Sequence, residues 1–574
     1  MINLLDVIDE VEEAAAQSVF SPPPARRPAR GTMGSADCDG ESESIMKKFN
    51  TTAVCIPSKH YMVDLSERVA QIKEMVDAGE YFTINRARQY GKTTTITALR
   101  KILVEEYSVL SLDFQGIGKA GFSTEEKFVQ EFCRLVWSRR KANSKIPDGI
   151  LRKILKWKDS AEPVVRLGEM FDLLAEWCEQ SERGIVLIID EVDSATNNQV
   201  FLDFLAQLRE GYIGWDTDGI PTFQSVILAG VTDVRHLRSK VRPEDQHKVN
   251  SSWNIAADFD VDMSLSEAGI RGMLHEYEAD HRTGTDTAAI AQQIREFTSG
   301  YPYLVSRICE LIDEVVWKRY NSLSKAWTKE GLDEAVRLLL TEDNTLFQSI
   351  TGKLSNYPDL ETSIRSILME GVRLTYNAQQ ESIRQMQMYG LIRNDHGVVT
   401  ISNRIFETML YNLFLSDEEL KANVFSREGG LARSLFVRDG RLGMHLVLER
   451  FIDTYHQVFG PLKERFREKD GRELFLLYLK PIINGTGNYY IEAQTRDQTR
   501  TDVIVDYLGQ QHIVELKIWR GERYNAKGEK QIAEYLDYWG LSTGYMLSFN
   551  FNQRKRPGVE RVQFGDKVLY EGTV

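Results

Sequence analysis

YFTINRARQYGKTTTITALRKIL occupies residues 81 to 103. Its opening YFTI is a run of β-formers, and TTTITALRKIL carries apolar side chains at helical spacing. Gly91-Lys92-Thr93 is therefore predicted at the junction of a strand and a helix. Such a junction suits phosphate, because loop N–H groups and the positive end of the helix dipole converge there. Lys92 is expected to reach the β- and γ-phosphates of a nucleotide such as ATP. The Thr93 hydroxyl is expected to help hold Mg²⁺, with Gly91 and Thr94 completing the cradle. The strict spacing G-x-x-x-x-G-K-[ST] asks for glycine at position 86, where this chain has Arg86.

Downstream, IVLIIDEVD (185 to 193) is an apolar strand ending in Asp190 and Glu191. A carboxylate at that strand end suits the Mg²⁺ shell, and the next one can orient or deprotonate an attacking water. The runs YFTI, VLSLDF, IVLIID and SVILAG alternate with helix-length segments. That alternation implies crossover connections and an α/β layer fold with a parallel sheet covered on both faces. SLSEAGIRGMLHEYEA, TAAIAQQIREFT and PYLVSRICELIDEVVWKRY read as a helical lid. QMQMYGLIRNDHGVVTISNRIFETML reads as a winged-helix-like unit. Asp395, Glu407 and the scarcity of Lys and Arg around them favour a structural or interdomain role for that unit over DNA contact. The expected division is a disordered extension over 1–45, an ATPase-like core over 46–264, the lid over 265–345, the winged helix over 346–420, a linker over 421–442 and a second α/β domain over 443–574.

With 574 residues the chain is too long for one core. No stretch is long and apolar enough for a membrane span. Cys38, Cys55, Cys133, Cys178 and Cys309 are scattered and odd in number, which predicts free thiols in a reducing cytoplasm rather than a zinc site. The formal net charge of −13 argues against nucleic-acid binding by the chain as a whole. Residues 431–574 nevertheless hold 22 Lys+Arg against 19 Asp+Glu, a net of +3, so the acidity lies upstream.

RTDVIVDYLGQQHIVELKIWRG (500 to 521) reads as a hairpin, with Asp502 opening one strand, LGQQ turning, and HIVELKIW returning. Alternation sets Glu515 and Lys517 on one face, with Asp502 on the neighbouring strand. Two carboxylates and a lysine on an apolar sheet are the D-x(n)-E-x-K form of the PD-(D/E)XK nuclease pattern. There a divalent ion, Mg²⁺ or Mn²⁺, activates water and phosphate while the ammonium offsets developing charge. Glu473, from the upstream helix GRELFLLYLKPI, is a further candidate for the metal, and Gln531, with Tyr535 one turn on, is expected to face the same site.

RARQYGKTTT, LIIDEVD, LAGVTDV and SSWNIAADF resemble the AAA-ATPase-like proteins found mostly in bacteria, many of which carry a C-terminal PD-(D/E)XK nuclease domain. The resemblance runs from about Lys47 to the C-terminus. In that family the first P-loop glycine is commonly replaced, which accommodates Arg86. The resemblance implies Thr232 as the polar residue sensing the γ-phosphate and Arg307 as a lid arginine; Arg235, Arg238 and Arg242 are candidates for a finger reaching a neighbouring subunit. The expectation is an ATP-regulated, metal-dependent endonuclease acting on nucleic acid, DNA before RNA, with a homo-oligomer left open. The alternatives are a nucleotide-dependent switch with an inactive nuclease fold and a remodelling motor.

Overall fold

The computed structural model describes residues 46–141, 146–232, 234, 253–369, 372–420, 424–438, 440–459, 468–483, 487–494, 500–519, 522–550 and 556–574. The expected extension 1–45 lies outside the described residues, as do Asp233, Arg235, Arg238 and Arg242.

Four fully parallel strands, β1 (Tyr81–Asn85), β2 (Ser108–Asp113), β3 (Ile185–Asp190) and β4 (Ser225–Gly230), form a sheet in the order β1-β4-β3-β2. Every residue of β3 and β4 is buried, as a strand covered on both faces requires. Alternate residues feed two separate cores. Leu187, Ile189, Val226 and Leu228 pack on one side, and Val186, Ile188, Ile227 and Ala229 on the other. The segment after β4 returns along the outer edge of β1: Ala257 N donates to Tyr81 O at 2.8 Å, Trp253 Nε1 to Thr83 Oγ1 at 3.0 Å, and Phe259 stacks on Phe82. That contact explains the WNIAADF motif, whose aromatic residues close the sheet.

Helices Glu267–His281, Thr287–Thr298, Pro302–Leu311 and Lys329–Thr341 follow. Helices Thr345–Asn356, Pro358–Leu368 and Glu381–Met388 lead to the hairpin of β5 (Ile392–Asp395) and β6 (Val398–Ile401) and to helix Arg404–Leu420. Within the predicted linker lies helix Val424–Phe436, then the short β7 (Val437–Arg438) and β8 (Arg441–Leu442). Gly429 lets this helix lie against helix Glu468–Ile483, since a Cβ there would come 2.1 Å from Tyr478 O.

The C-terminal sheet comprises β9 (Gly487–Gln494), β10 (Arg500–Tyr507), β11 (Gln510–Ile518), β12 (Thr543–Phe549), β13 (Gly558–Phe564) and β14 (Lys567–Thr573), in the order β13-β14-β12-β11-β10-β9. β9, β10 and β11 are antiparallel neighbours; helix Glu522–Trp539 then crosses over so that β12 runs parallel to β11. The β10–β11 turn is Leu508-Gly509, both with positive φ (53° and 78°), shorter than the four residues the sequence suggests. One apolar core runs without a break from the helices around Tyr277 to this sheet. No helix among the described residues is long and apolar enough to cross a membrane.

Candidate functional site

The loop from Arg86 to Gly91 follows β1 and ends at the N-terminus of helix Lys92–Leu103. Gln89 and Gly91 both have positive φ, at 56° and 79°, with Tyr90 between them. Left-handed residues alternating with ordinary ones are the backbone pattern of an anion-binding nest. Lys92 is buried, and its Nζ donates to Arg86 O at 3.0 Å and Ala87 O at 3.1 Å. Burial lowers its pKa, while Asp193, Glu191 and Asp190 pull the other way.

The β1-β4-β3 order brings the carboxylate end of β3 to this loop. Thr93 Oγ1 donates to Asp190 Oδ2 at 3.0 Å, and Glu191 N donates to Asp190 Oδ1 at 2.9 Å. Glu191 holds a left-handed conformation, φ 53°. Burial raises the pKa of both carboxyls. A hydroxyl and a carboxylate in contact beside a phosphate cradle are an oxygen donor set suited to Mg²⁺.

Arg86, at the position of the missing glycine, is turned to a structural task. Its guanidinium donates to Val261 O at 2.9 Å and Phe259 O at 3.4 Å and lies over the Phe259 ring. The side chain therefore ties the loop to the strand-like segment flanking β1. Thr94 Oγ1 accepts from Cys55 N at 3.3 Å, linking it to the chain ahead of β1. Arg307 is engaged by Glu342, through Nε and Nη2 at 2.7 to 3.1 Å, and by Glu310 at 2.6 Å.

Thr232 follows β4, which lies between β1 and β3, and its N–H donates to Asp193 Oδ1 at 2.7 Å. Val231 N donates to Asp193 Oδ2 at the same distance. Asp193 thus fastens the end of β4 to the β3 loop, a task the sequence reading missed. The second Asp of DEVD is the only sequence signal, because its partners lie nearly forty residues away. Two further elements touch the phosphate loop. Tyr301 OH donates to Arg88 O, and Gly390, just before the β5–β6 hairpin, approaches so closely that a Cβ would lie 2.8 Å from Ala87 Cβ.

In the C-terminal sheet, β11 is buried from Ile513 to Lys517. Lys517 Nζ lies 3.2 Å from Glu515 Oε1 and donates to Gln531 Oε1 at 3.4 Å; Gln531 Nε2 donates to Tyr535 OH at 2.9 Å. Gly528 makes room on the crossover helix, since a Cβ there would stand 2.8 Å from Lys517 Nζ. Glu515 and Lys517 expose 3% and 8% of their surfaces. Val503 pairs with Val514, so the backbone positions of Asp502 and Glu515, one residue to either side of that pair, oppose each other. The Asp502 side chain lies outside the described atoms. Glu473 is half-buried on helix Glu468–Ile483, which packs against β11.

A parallel sheet whose first strand opens into a phosphate-binding loop, with the buried lysine and the Thr93–Asp190 contact at its mouth, defines a P-loop NTPase-like fold. Within that class the chain belongs to the AAA-like domain family, whose profile matches residues 49–412. Among solved structures it is similar to a Walker-type ATPase of Pyrococcus abyssi, at 14% identity over 63% of this chain and 99% of that one, with a TM-score of 0.43. It is similar also to Cdc6p of Pyrobaculum aerophilum (13% identity, 64% and 97% covered, TM-score 0.30) and to the RuvB Holliday junction branch migration motor of Thermotoga maritima (12%, 59% and 92%, TM-score 0.31). No curated protein matches the chain.

Proposed function

We propose that the chain hydrolyses ATP at the β1–β3 site and uses that cycle to govern a metal-dependent nuclease built on β10 and β11, with DNA as substrate. In the first half, Lys92 and the loop N–H groups bind the phosphates, Thr93 and Asp190 would hold Mg²⁺, Glu191 takes the proton of the attacking water, and Thr232, steadied by Asp193, faces the γ-phosphate. In the second, Asp502 and Glu515, with Glu473, would hold a divalent ion, which supplies Lewis-acid activation of phosphate and water. Lys517 offsets negative charge on the scissile phosphate, and Gln531 and Tyr535 fix the position of its ammonium.

The observation that carries the nuclease reading is the buried Glu515–Lys517–Gln531 chain on the central strand β11. An ion pair inside an apolar sheet costs desolvation that packing alone does not recover. The antiparallel β9-β10-β11 run followed by a helical crossover to β12 supports the same reading, because it sets that chain beside Asp502. The near-closure of Glu515 favours a second reading, a nucleotide-dependent switch that keeps an inactive nuclease fold. Cleavage of DNA by purified protein with Mg²⁺ or Mn²⁺ separates them. We expect cutting to fall at least about 100-fold in Asp502→Ala and in Lys517→Ala, and nucleotide affinity to fall about as much in Lys92→Ala. Cutting unchanged in the first two variants would remove the nuclease assignment, and binding unchanged in the third would remove the role of Lys92.

A further inference from the structure

Asp506 lies on β10, four residues beyond Asp502, with only 5% of its surface exposed. Its Oδ1 accepts from Gly509 N at 3.1 Å. Asp333 of helix Lys329–Thr341 borders the same cavity as Asp506, the hairpin tip packs against that helix where a Cβ on Gly509 would lie 3.2 Å from Glu330 Cγ, and the two carboxyl groups interact directly. Among the described residues neither Asp333 Oδ2 nor Asp506 Oδ2 meets a protein donor. Two carboxylates have no hydrogen to share and repel, so this contact holds only if one group carries a proton.

We propose that Asp333 and Asp506 form a single-proton latch that holds helix Lys329–Thr341 on the C-terminal sheet and opens when that proton is lost. Burial, reinforced by the Asp506 carboxylate, pushes the Asp333 pKa far above the ordinary carboxyl range, and burial raises Asp506 as well. Of the groups facing the pair, Lys329 favours ionisation of both, and Glu330 opposes that of Asp333. Gln511, paired with Asp506 across β10 and β11, favours its ionised form. Glu334 is occupied by Arg337 and Arg319. His512, the next residue on β11, is held down to about 4 by burial and stays neutral through the range that matters. A cavity of about 410 Å³ beside the pair, bordered by Tyr320, Lys325, Arg337 and Leu508, gives the proton a route to solvent.

The docked state binds a proton that the separated groups release above the ordinary carboxyl range, so docking weakens as pH rises through the elevated pKa. Opening frees the strand that also carries Asp502. That consequence for cleavage rests on the nuclease reading; the latch itself does not.

Hydrogen exchange of the full chain, corrected for intrinsic rates, tests it at about pH 6.5 and about pH 9. In the natural sequence, segments 329–341 and 500–507 should lose at least about tenfold in protection at the higher pH. Asp333→Asn, which donates without titrating, should hold its protection at both. Asp506→Asn tests the other partner by the same measure should the first variant fold poorly. An unchanged loss in a folded variant, or none in the natural sequence, would overturn the latch whatever the nuclease assay shows.

Discussion

Arg307 shows how far a residue's neighbours decide its work. A lid arginine that touched phosphate would need its guanidinium free, yet Glu310 of the same helix and Glu342, just past the end of helix Lys329–Thr341, occupy it. With the side chain about a quarter exposed, the pairs are screened. Arg307→Ala should lower stability by about 1 kcal/mol, read by urea unfolding, and leave nucleotide affinity within about twofold. A large loss of affinity with unchanged stability would return Arg307 to the phosphates. Position 86 carries the opposite lesson. There the sequence breaks the strict glycine rule, and the broken rule has a physical reason in the carbonyls of Phe259 and Val261. Nothing local to RARQYGK reveals those partners, because they lie more than 170 residues away.

Elements were legible where their causes are local. β1, its loop and helix Lys92–Leu103 follow from periodicity and one glycine, and the β10–β11 hairpin from alternation around a short turn. Helix Val424–Phe436 falls in the span expected to be a linker, because the approach at Gly429 that packs it on a partner helix is not visible in the local sequence. Gly429→Ala, although a better helix former, should destabilise the chain by about 1 to 3 kcal/mol, since the added methyl meets the Tyr478 carbonyl rather than a flexible side-chain end. Chemical denaturation measures this, and a neutral or stabilising result would show that the two helices separate freely. The Lys517–Gln531 contact was half legible: helical spacing places Gln531 and Tyr535 on one face, but only the approach at Gly528 brings that face to the ammonium.

At the scale of the molecule, the four-stranded sheet keeps its own two cores, whereas everything from the helices around Tyr277 to the C-terminal sheet shares a third. Helix Arg404–Leu420 is the splice. Its Asn412 receives Lys480 Nζ on the backbone oxygen and Tyr489 OH on the side chain. A chain ending at residue 420 removes one wall of that core. It should lose helical circular dichroism from residues 267–420 or aggregate, although 420 is where the sequence places the end of the winged helix and the start of a linker. A soluble fragment of native helicity would show that the two parts fold apart. Sequence patterning misses such continuity because it marks which face is apolar and not which distant face covers it.

Leu508 sits at the tip of the β10–β11 hairpin with φ 53° and more than half its surface exposed. A two-residue turn of this hand is ordinarily built from Asn-Gly, and a branched apolar residue there is locally frustrated. The chain retains a bend that its own side chain resists, at the rim of the cavity beside Asp333 and Asp506. The tip is therefore a ready starting point for raising thermal tolerance in the laboratory.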